Sequence, residues 1–204
     1  MIFRVFHTYS RQLLFRVFLL EGGLLGVALL WAFWQDIPLY AALIPSMIAW
    51  IQGIFLGFLF LIFNYAVIEW GARYSKILYT LKRLIESDVS PLFRHIDVHT
   101  VVVIALMSGV AEEIFFRGVL QAQFGIWITS AVFGLAHIWK KTAIVYGMYV
   151  ALMGLVFGSI YECSGNLWVP ILAHVVNNLI AILYYIRHIL TPSKSHITQE
   201  ESNE

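Results

Sequence analysis

Charge is scarce in this chain. Lys, Arg, Asp and Glu make up 12% of its 204 residues, against 60% hydrophobic residues and a mean hydropathy of +0.80. Soluble domains carry about 25% charged residues, so lipid must replace water over much of the surface. The formal net charge is +1 and no Lys/Arg run exceeds two residues, which excludes the electrostatic footprint of a nucleic-acid partner. Cysteine is scarcer still. Cys163 stands alone, which rules out an internal disulfide and a thiolate metal cluster within one chain. With no neighbour to lower its pKa, Cys163 reads as a small residue near a helix end. A cleavage site is also missing. The first apolar run, 17–34, follows Arg4, Arg11 and Arg16 and ends in Trp31, Ala32, Phe33, Trp34, Gln35 and Asp36. No small-x-small site is present, so the run reads as a retained anchor.

What the chain has instead is length in apolar runs. A hydrocarbon core about 30 Å thick needs about 20 apolar residues in a helix. Segments 17–34, 43–68, 98–120, 124–139, 143–162 and 167–188 meet that measure approximately. The fourth is the shortest and holds Gly125, Gly134 and His137, so a tilted or partial span is open to it. The expectation is an all-α polytopic membrane bundle of about six transmembrane helices, forming a single domain over 1–190. Six spans put both termini on one face. If that face is cytoplasmic, twelve of the thirteen basic residues lie inside or at the inner boundary, and only Arg117 is left over. Over 71–86, Tyr74, Ile77, Leu78, Leu81, Leu84 and Ile85 recur at helical spacing opposite Arg73, Lys76, Lys82, Arg83 and Glu86. This pattern predicts one interfacial amphipathic helix, either a surface cover on anionic lipid or a gate. Ser87 to Pro91 break it. Residues 191–204 are polar and expected to be disordered. Gly22/Gly26, Gly53/Gly57 and Gly154/Gly158 are spaced for close helix packing.

A charged side chain at the centre of a membrane helix costs at least about 2.5 kcal/mol on insertion scales, so an intramembrane cluster calls for partners and a function. The third segment holds Glu112, Glu113 and Arg117. Glu113 and Arg117 are four apart with the acid first, the favourable order for a pair on one helix face. Glu112 points about 100° away and is free to face something else. His137, His174 and Asn178 lie in later segments, and His174 and Asn178 share a helix face. Counting about 1.5 Å per residue brings Glu112, His174 and Asn178 to the middle third of the membrane, with His137 somewhat nearer the cytoplasmic side. An acid can relay a proton from water to a leaving amine, and imidazole and amide donors can hold an oxyanion. Interhelical hydrogen-bond glue is the plainer alternative. Glu21 and Glu69 read as helix-packing or interfacial acids. His7, His95, His99, His188 and His196 sit near segment boundaries, and Asn177 falls on a face beside that of Asn178.

Glu112-Glu113-x-x-x-Arg117, Phe133-x-x-x-His137 and His174-x-x-x-Asn178 resemble the three ordered motifs of the CAAX-protease and bacteriocin-processing family of intramembrane peptidases, also called the Abi family. The resemblance covers 98–190. It implies a helical membrane bundle that cleaves peptide bonds within or beside the bilayer. Glu112 and His137 would activate water, His174 and Asn178 would hold the oxyanion, and Glu113 and Arg117 would brace the site. It also implies a membrane-associated peptide or protein substrate, and the chain has the size of a prokaryotic inner-membrane protein with both termini cytoplasmic. A Glu/His set could bind zinc, but the adjacent His-Glu-x-x-His helix of common zinc proteases is missing. A glutamate-type mechanism requiring no cofactor is therefore expected, with zinc the alternative. A non-catalytic immunity or binding protein and a proton-coupled carrier are the competing functions; the lack of strongly charged centres in the first two spans and of an obvious inverted repeat weighs against the carrier.

Overall fold

The computed structural model describes residues 2–94 and 96–188, and the side chains within 9–94 and 96–187. The polar tail 191–204, His95 and His196 lie outside the described residues, as do the side chains of His7 and His188. Every regular element among the described residues is helical: α1 (Ile2–Trp34), α2 (Leu39–Ala42), α3 (Met47–Tyr65), α4 (Lys76–Leu84), α5 (Val98–Glu113), α6 (Gln121–Ala136), α7 (Ile144–Ser164) and α8 (Trp168–His188). Short polar residues start several of them by occupying orphan backbone donors. Ser46 accepts from the Ala49 N–H at 3.4 Å, Ser75 from Leu78 at 3.5 Å and Asp97 from Thr100 at 2.8 Å. Gly165, at φ 62°, ends α7 in the left-handed conformation that glycine adopts without penalty. Asn166 then begins α8 by accepting from the Trp168 N–H at 2.9 Å, while its own amide donates to Ile44 O at 3.0 Å.

Side-chain contacts fix the direction of each helix. α8 runs against α5, since Gly109 meets Val175 and Ile171 while Val101 and Ile104 cluster with Ile182. It runs with α3, because Gly53 meets Val169 and Leu172, Gly57 meets Val176, and Tyr65 meets Tyr184. α1 lies along α5 in the same sense, with Leu13, Leu14 and Val17 near Val101 and Trp31 near Phe124. α7 also follows α5, as Arg117 reaches Gly154 O and Gln121 reaches Gly158 O. The start of α1, the end of α3, the starts of α5 and α7 and the end of α8 therefore share one end of the bundle. That end gathers Arg73, Lys76, Lys82, Arg83, Arg94, Lys140, Lys141 and Arg187, whereas the opposite end carries Asp36 and Glu162.

Five helices are long and apolar enough to cross a membrane: Tyr9–Trp34, Met47–Arg73, Val98–Ala136, Lys141–Ser164 and Trp168–Arg187. The expected third and fourth spans merge in Val98–Ala136, whose 39 residues exceed any single crossing. Gly125, at φ 76° and ψ 170°, divides it in a region of backbone space open essentially to glycine. The chain folds back there. Ile126 returns to the level of Gly158, and Gly134 to that of Gly147 and Ala151. The returning leg, 126–136, rises only about 16 Å at 1.5 Å per residue, so the fourth expected segment is a half-length helix that ends inside the bundle, with His137 at its C-terminus.

The amphipathic helix α4 begins at Lys76; Leu81, Leu84 and Ile85 of the apolar face are buried on protein, while Tyr74 and Ile77 are exposed. Leu81 and Ile85 are buried with Ile68 against Val145, Tyr146, Tyr149 and Tyr185. Ion pairs hold it in place: Lys82 with Glu69 and Glu86, and Asp88 with Lys140. The hydrogen bond to Glu69 pushes the Lys82 ammonium above its usual range. Of the three glycine pairs, Gly53/Gly57 and Gly154/Gly158 are close-approach points, while nothing lies within 4 Å of a Cβ placed at Gly22 or Gly26.

Candidate active site

The helical turns widen to the π form over Ile114–Leu120, directly after Glu113. Such a bulge rotates the residues behind it relative to those before. Glu113 is fully buried and bridges two partners: its Oε1 lies 2.7 Å from His174 Nδ1, and its Oε2 lies 3.1 Å from Arg117 Nε. The second contact is an ion pair off the line of a hydrogen bond, since neither atom counts a hydrogen-bond partner. Arg117, 1% exposed, also donates from Nη2 to Gly154 O at 3.3 Å, and its guanidinium lies 4.5 Å from the centre of the Phe133 ring. Aromatic faces attract a desolvated cation by about 2 kcal/mol, so Arg117 is held by charge, carbonyl and ring together.

Glu112 faces elsewhere. It lines a cavity of about 460 Å³ together with His137, His174, Asn178, Asn177 and Asn64. All four residues that the motifs mark for chemistry therefore open on one space, while Glu113 and Arg117 stand behind the wall. The Oε2 of Glu112 is buried with no hydrogen-bond partner among the described residues. His137 Nδ1 lies 2.7 Å from Phe133 O. A carbonyl only accepts, so Nδ1 carries the proton and Nε2 is left as a base. His174 Nδ1, which faces the Glu113 carboxylate, carries a proton as well; its ring stacks on Phe157 at 5.3 Å between centroids. Asn178 Nδ2 donates to Ser108 Oγ at 3.3 Å, and Asn178 Oδ1 accepts from Asn177 at 3.3 Å. An amide nitrogen carries two hydrogens, so one remains for the cavity.

Two residues near the site escape sequence reasoning. Asn64, in α3, donates to Asn177 Oδ1 at 3.0 Å; a lone amide directly after the apolar run 54–63 was the available signal. Glu21, on α1, is 6% exposed with a partnerless Oε2, and it shares a small crevice with Met107, Val110 and Ala111. The charges of Glu112 and His174 act on it. Its apolar surroundings in sequence gave it the look of a packing residue. The rest of the cavity wall is aromatic and aliphatic, including Tyr146, Tyr149, Tyr184, Tyr185 and Phe93, and Ile85, Val89 and Ser90 close its basic end.

Among the described residues no three His, Cys, Asp or Glu side chains gather at ligand spacing. The nearest pair, Glu113 and His174, turn their facing atoms on each other.

Fold and site thus define a polytopic, all-helical membrane protein with a buried, half-aromatic cavity that holds an acid, two imidazoles and an amide. The family described as type II CAAX prenyl endopeptidase Rce1-like matches residues 95–180. The Bacillus subtilis (strain 168) chain named "Uncharacterized protein YpbD" is 32% identical over 85 residues, which are 42% of this chain and 45% of that one. "Putative membrane peptidase YdiL" of the same organism is 26% identical over 110 residues, 50% of this chain and 42% of that one. The chain spans less than half the length of these curated relatives. No solved structure matches. Residues 95–180, which carry the three motifs in order, are thus similar to a family of CAAX-type membrane endopeptidases.

Proposed function

We propose that the chain is an intramembrane endopeptidase that hydrolyses peptide bonds in membrane-proximal or lipidated peptides without a metal. One observation carries this reading: a buried carboxylate oxygen with no donor, Glu112 Oε2, in a cavity shared with two imidazoles and an amide. Structural glue would be paired, because an unsatisfied buried polar group costs about 1–3 kcal/mol.

Glu112, assisted by His137 Nε2, takes a proton from water as the water oxygen bonds to the scissile carbonyl carbon. The carbonyl electron pair moves to oxygen, where the free Asn178 N–H and the Nε2–H of His174 hold it. His174 donates there as an imidazolium, since its Nδ1–H is committed to Glu113. Collapse of the adduct breaks the C–N bond, and Glu112 passes its proton to the leaving amine. Glu113 and Arg117 act by holding His174. The clustering of basic residues at one end supports cytoplasmic termini in a prokaryotic inner membrane.

The test is cleavage of a quenched-fluorescent membrane-peptide library by the full chain in detergent, beside Glu112→Gln, each with and without a chelator. Loss of at least about 100-fold in the variant, with wild-type activity surviving chelation, is the expected outcome. Equal cleavage by both proteins rejects Glu112 as the base. Loss on chelation rejects the metal-free route, and no cleavage by either protein turns the reading toward a binding role.

A further inference from the structure

A line of side-chain hydrogen bonds crosses three helices and ends on Asn178. Asn64 Nδ2 of α3 donates to Asn177 Oδ1 at 3.0 Å, and Asn177 Nδ2 donates to Asn178 Oδ1 at 3.3 Å. Asn178 Nδ2 donates to Ser108 Oγ of α5 at 3.3 Å, and the Ser108 hydroxyl donates to Ala105 O at 3.4 Å. Every group passes its donor the same way: the Ala105 carbonyl, which can only accept, sets the polarity at one end, and Asn64 meets it with a donor at the other. Asn64 is 9% exposed, and its own Oδ1 has no hydrogen-bond partner. Its bond to Asn177 is therefore its single side-chain hydrogen bond among the described residues. A terminal amide rotates between two nearly isosteric orientations that exchange its oxygen and nitrogen. In one of them Asn178 offers the cavity a hydrogen; in the other it offers an oxygen, which would repel an oxyanion.

We propose that Asn64 is a positioning residue: acting through Asn177, it fixes the orientation of Asn178 so that the Asn178 N–H, and not its oxygen, faces the reacting carbonyl. The inference rests on the reading of Asn178 as an oxyanion donor and extends it to a helix outside the matched segment 95–180. With the acceptor end of the line fixed at Ala105 O, a donor at position 64 keeps all its bonds in one sense. If Asn64 is replaced by an acceptor, Asn177 turns to donate toward α3. Asn177 then presents its oxygen to Asn178, and the amide of Asn178 turns over in response. Asparagine and aspartate have nearly the same shape, so Asn64→Asp reverses the polarity at almost constant volume. Asn64→Ala merely removes the constraint.

The experiment is a double-mutant cycle on the library assay, with the full chain in detergent: wild type, Asn64→Ala, Asn64→Asp, Asn178→Ala and Asn64→Ala/Asn178→Ala, plus the unfolding midpoint of each. Asn178→Ala is expected to lower kcat by about 100-fold, the typical loss of one oxyanion donor. Asn64→Ala is expected to lower kcat several-fold and Asn64→Asp further, both with KM within about two-fold. In the Asn178→Ala background the Asn64→Ala change is expected to do nothing more, because its route to the reaction is already gone. A crippled Asn178→Ala beside an unaffected Asn64→Ala overturns this inference alone. Equal losses on top of Asn178→Ala also overturn it, since they mark a general structural effect. If Asn178→Ala keeps full activity, the underlying oxyanion assignment fails instead. Should the Asn64 variants unfold, Ser108→Ala tests the other end of the line: kcat falls if the line orients Asn178 and stays unchanged if it does not.

Discussion

Glu113 is the residue whose removal should cost the bundle most. It is fully buried between Arg117 and His174, themselves 1% and 7% exposed. Glu113→Ala strands a guanidinium in the interior, with a carbonyl and three rings around it and no counter-charge. Breaking a buried pair by deleting one partner costs about 3–5 kcal/mol. The contact of Arg117 with Phe133 is present with and without Glu113 and offsets none of that, so a loss of about 3–5 kcal/mol is expected. Removing both charges is different, because desolvation of the ions had already consumed most of their attraction. Glu113→Leu/Arg117→Met fills a similar volume without charge and should recover most of the loss. Unfolding of the full chain by SDS titration from a mild detergent, followed by tryptophan fluorescence, measures wild type, Glu113→Ala, the single variants Glu113→Leu and Arg117→Met, and the double variant. The double variant should be more stable than Glu113→Ala, with a coupling energy of at least about 1.5 kcal/mol. A double variant whose loss equals the sum of the two single losses would refute the reasoning, since Arg117 and Glu113 would then act independently despite their 3.1 Å separation.

The return leg depends on close packing: a Cβ at Gly134 would lie 2.5 Å from Gly147 O and 2.6 Å from Ala151 Cβ, against nothing within 4 Å at Gly23. Gly134→Ala is expected to cost about 1–3 kcal/mol by overpacking, whereas Gly23→Ala is neutral or stabilising in the same titration. Asp97 caps α5, and the Thr100 N–H holds its carboxyl below the usual range. A lowered folded pKa means the stabilisation is present above the unfolded value near 4 and is lost as pH falls through the folded value. The stability gap between wild type and Asp97→Ala should therefore be about 1 kcal/mol near pH 7 and close on acid titration below about pH 4.

What was legible in the sequence was local geometry. Glu113 and Arg117 pair because a helix places positions four apart on one face, and Glu112 opens on the cavity because it stands about 100° round from them. Depth counting was enough to bring His137, His174 and Asn178 toward Glu112, since helices that traverse a slab of fixed thickness have few ways to be out of step. Tertiary pairing was not legible. Asn64 and Asn177 are 113 positions apart, and no periodicity announces which amide meets which. Hydropathy measures run length, so it scored 124–139 as a span and could not register that Gly125 folds a half-length leg back into the bundle. The amphipathic pattern over 71–86 revealed an apolar face but not its occupant. Its Leu81 and Ile85 meet Ile68, Tyr149 and Tyr185, while its Tyr74 and Ile77 stay exposed.

The division of the cavity wall bears on how much a family match can say about substrates. Glu112, His137, His174 and Asn178 all fall within the matched residues 95–180, so the groups of the proposed chemistry come with the family. Leu61, Asn64, Tyr65, Ile68, Glu69, Ile85, Val89, Ser90, Phe93, Tyr184 and Tyr185 also line the cavity, and they fall outside it. These outer residues close the basic end of the cavity and supply most of its tyrosines. A peptide entering from that end meets them before it meets Glu112. Discrimination between substrates, a difference of affinities set by pocket walls, is therefore expected to depend on the part of the chain the family match leaves out. Exchanging 61–93 between two relatives is expected to exchange substrate preference while leaving the dependence on Glu112 intact; cleavage profiles of the chimaeras on one peptide library measure this directly, and a profile that follows 95–180 instead would place selectivity in the shared segment.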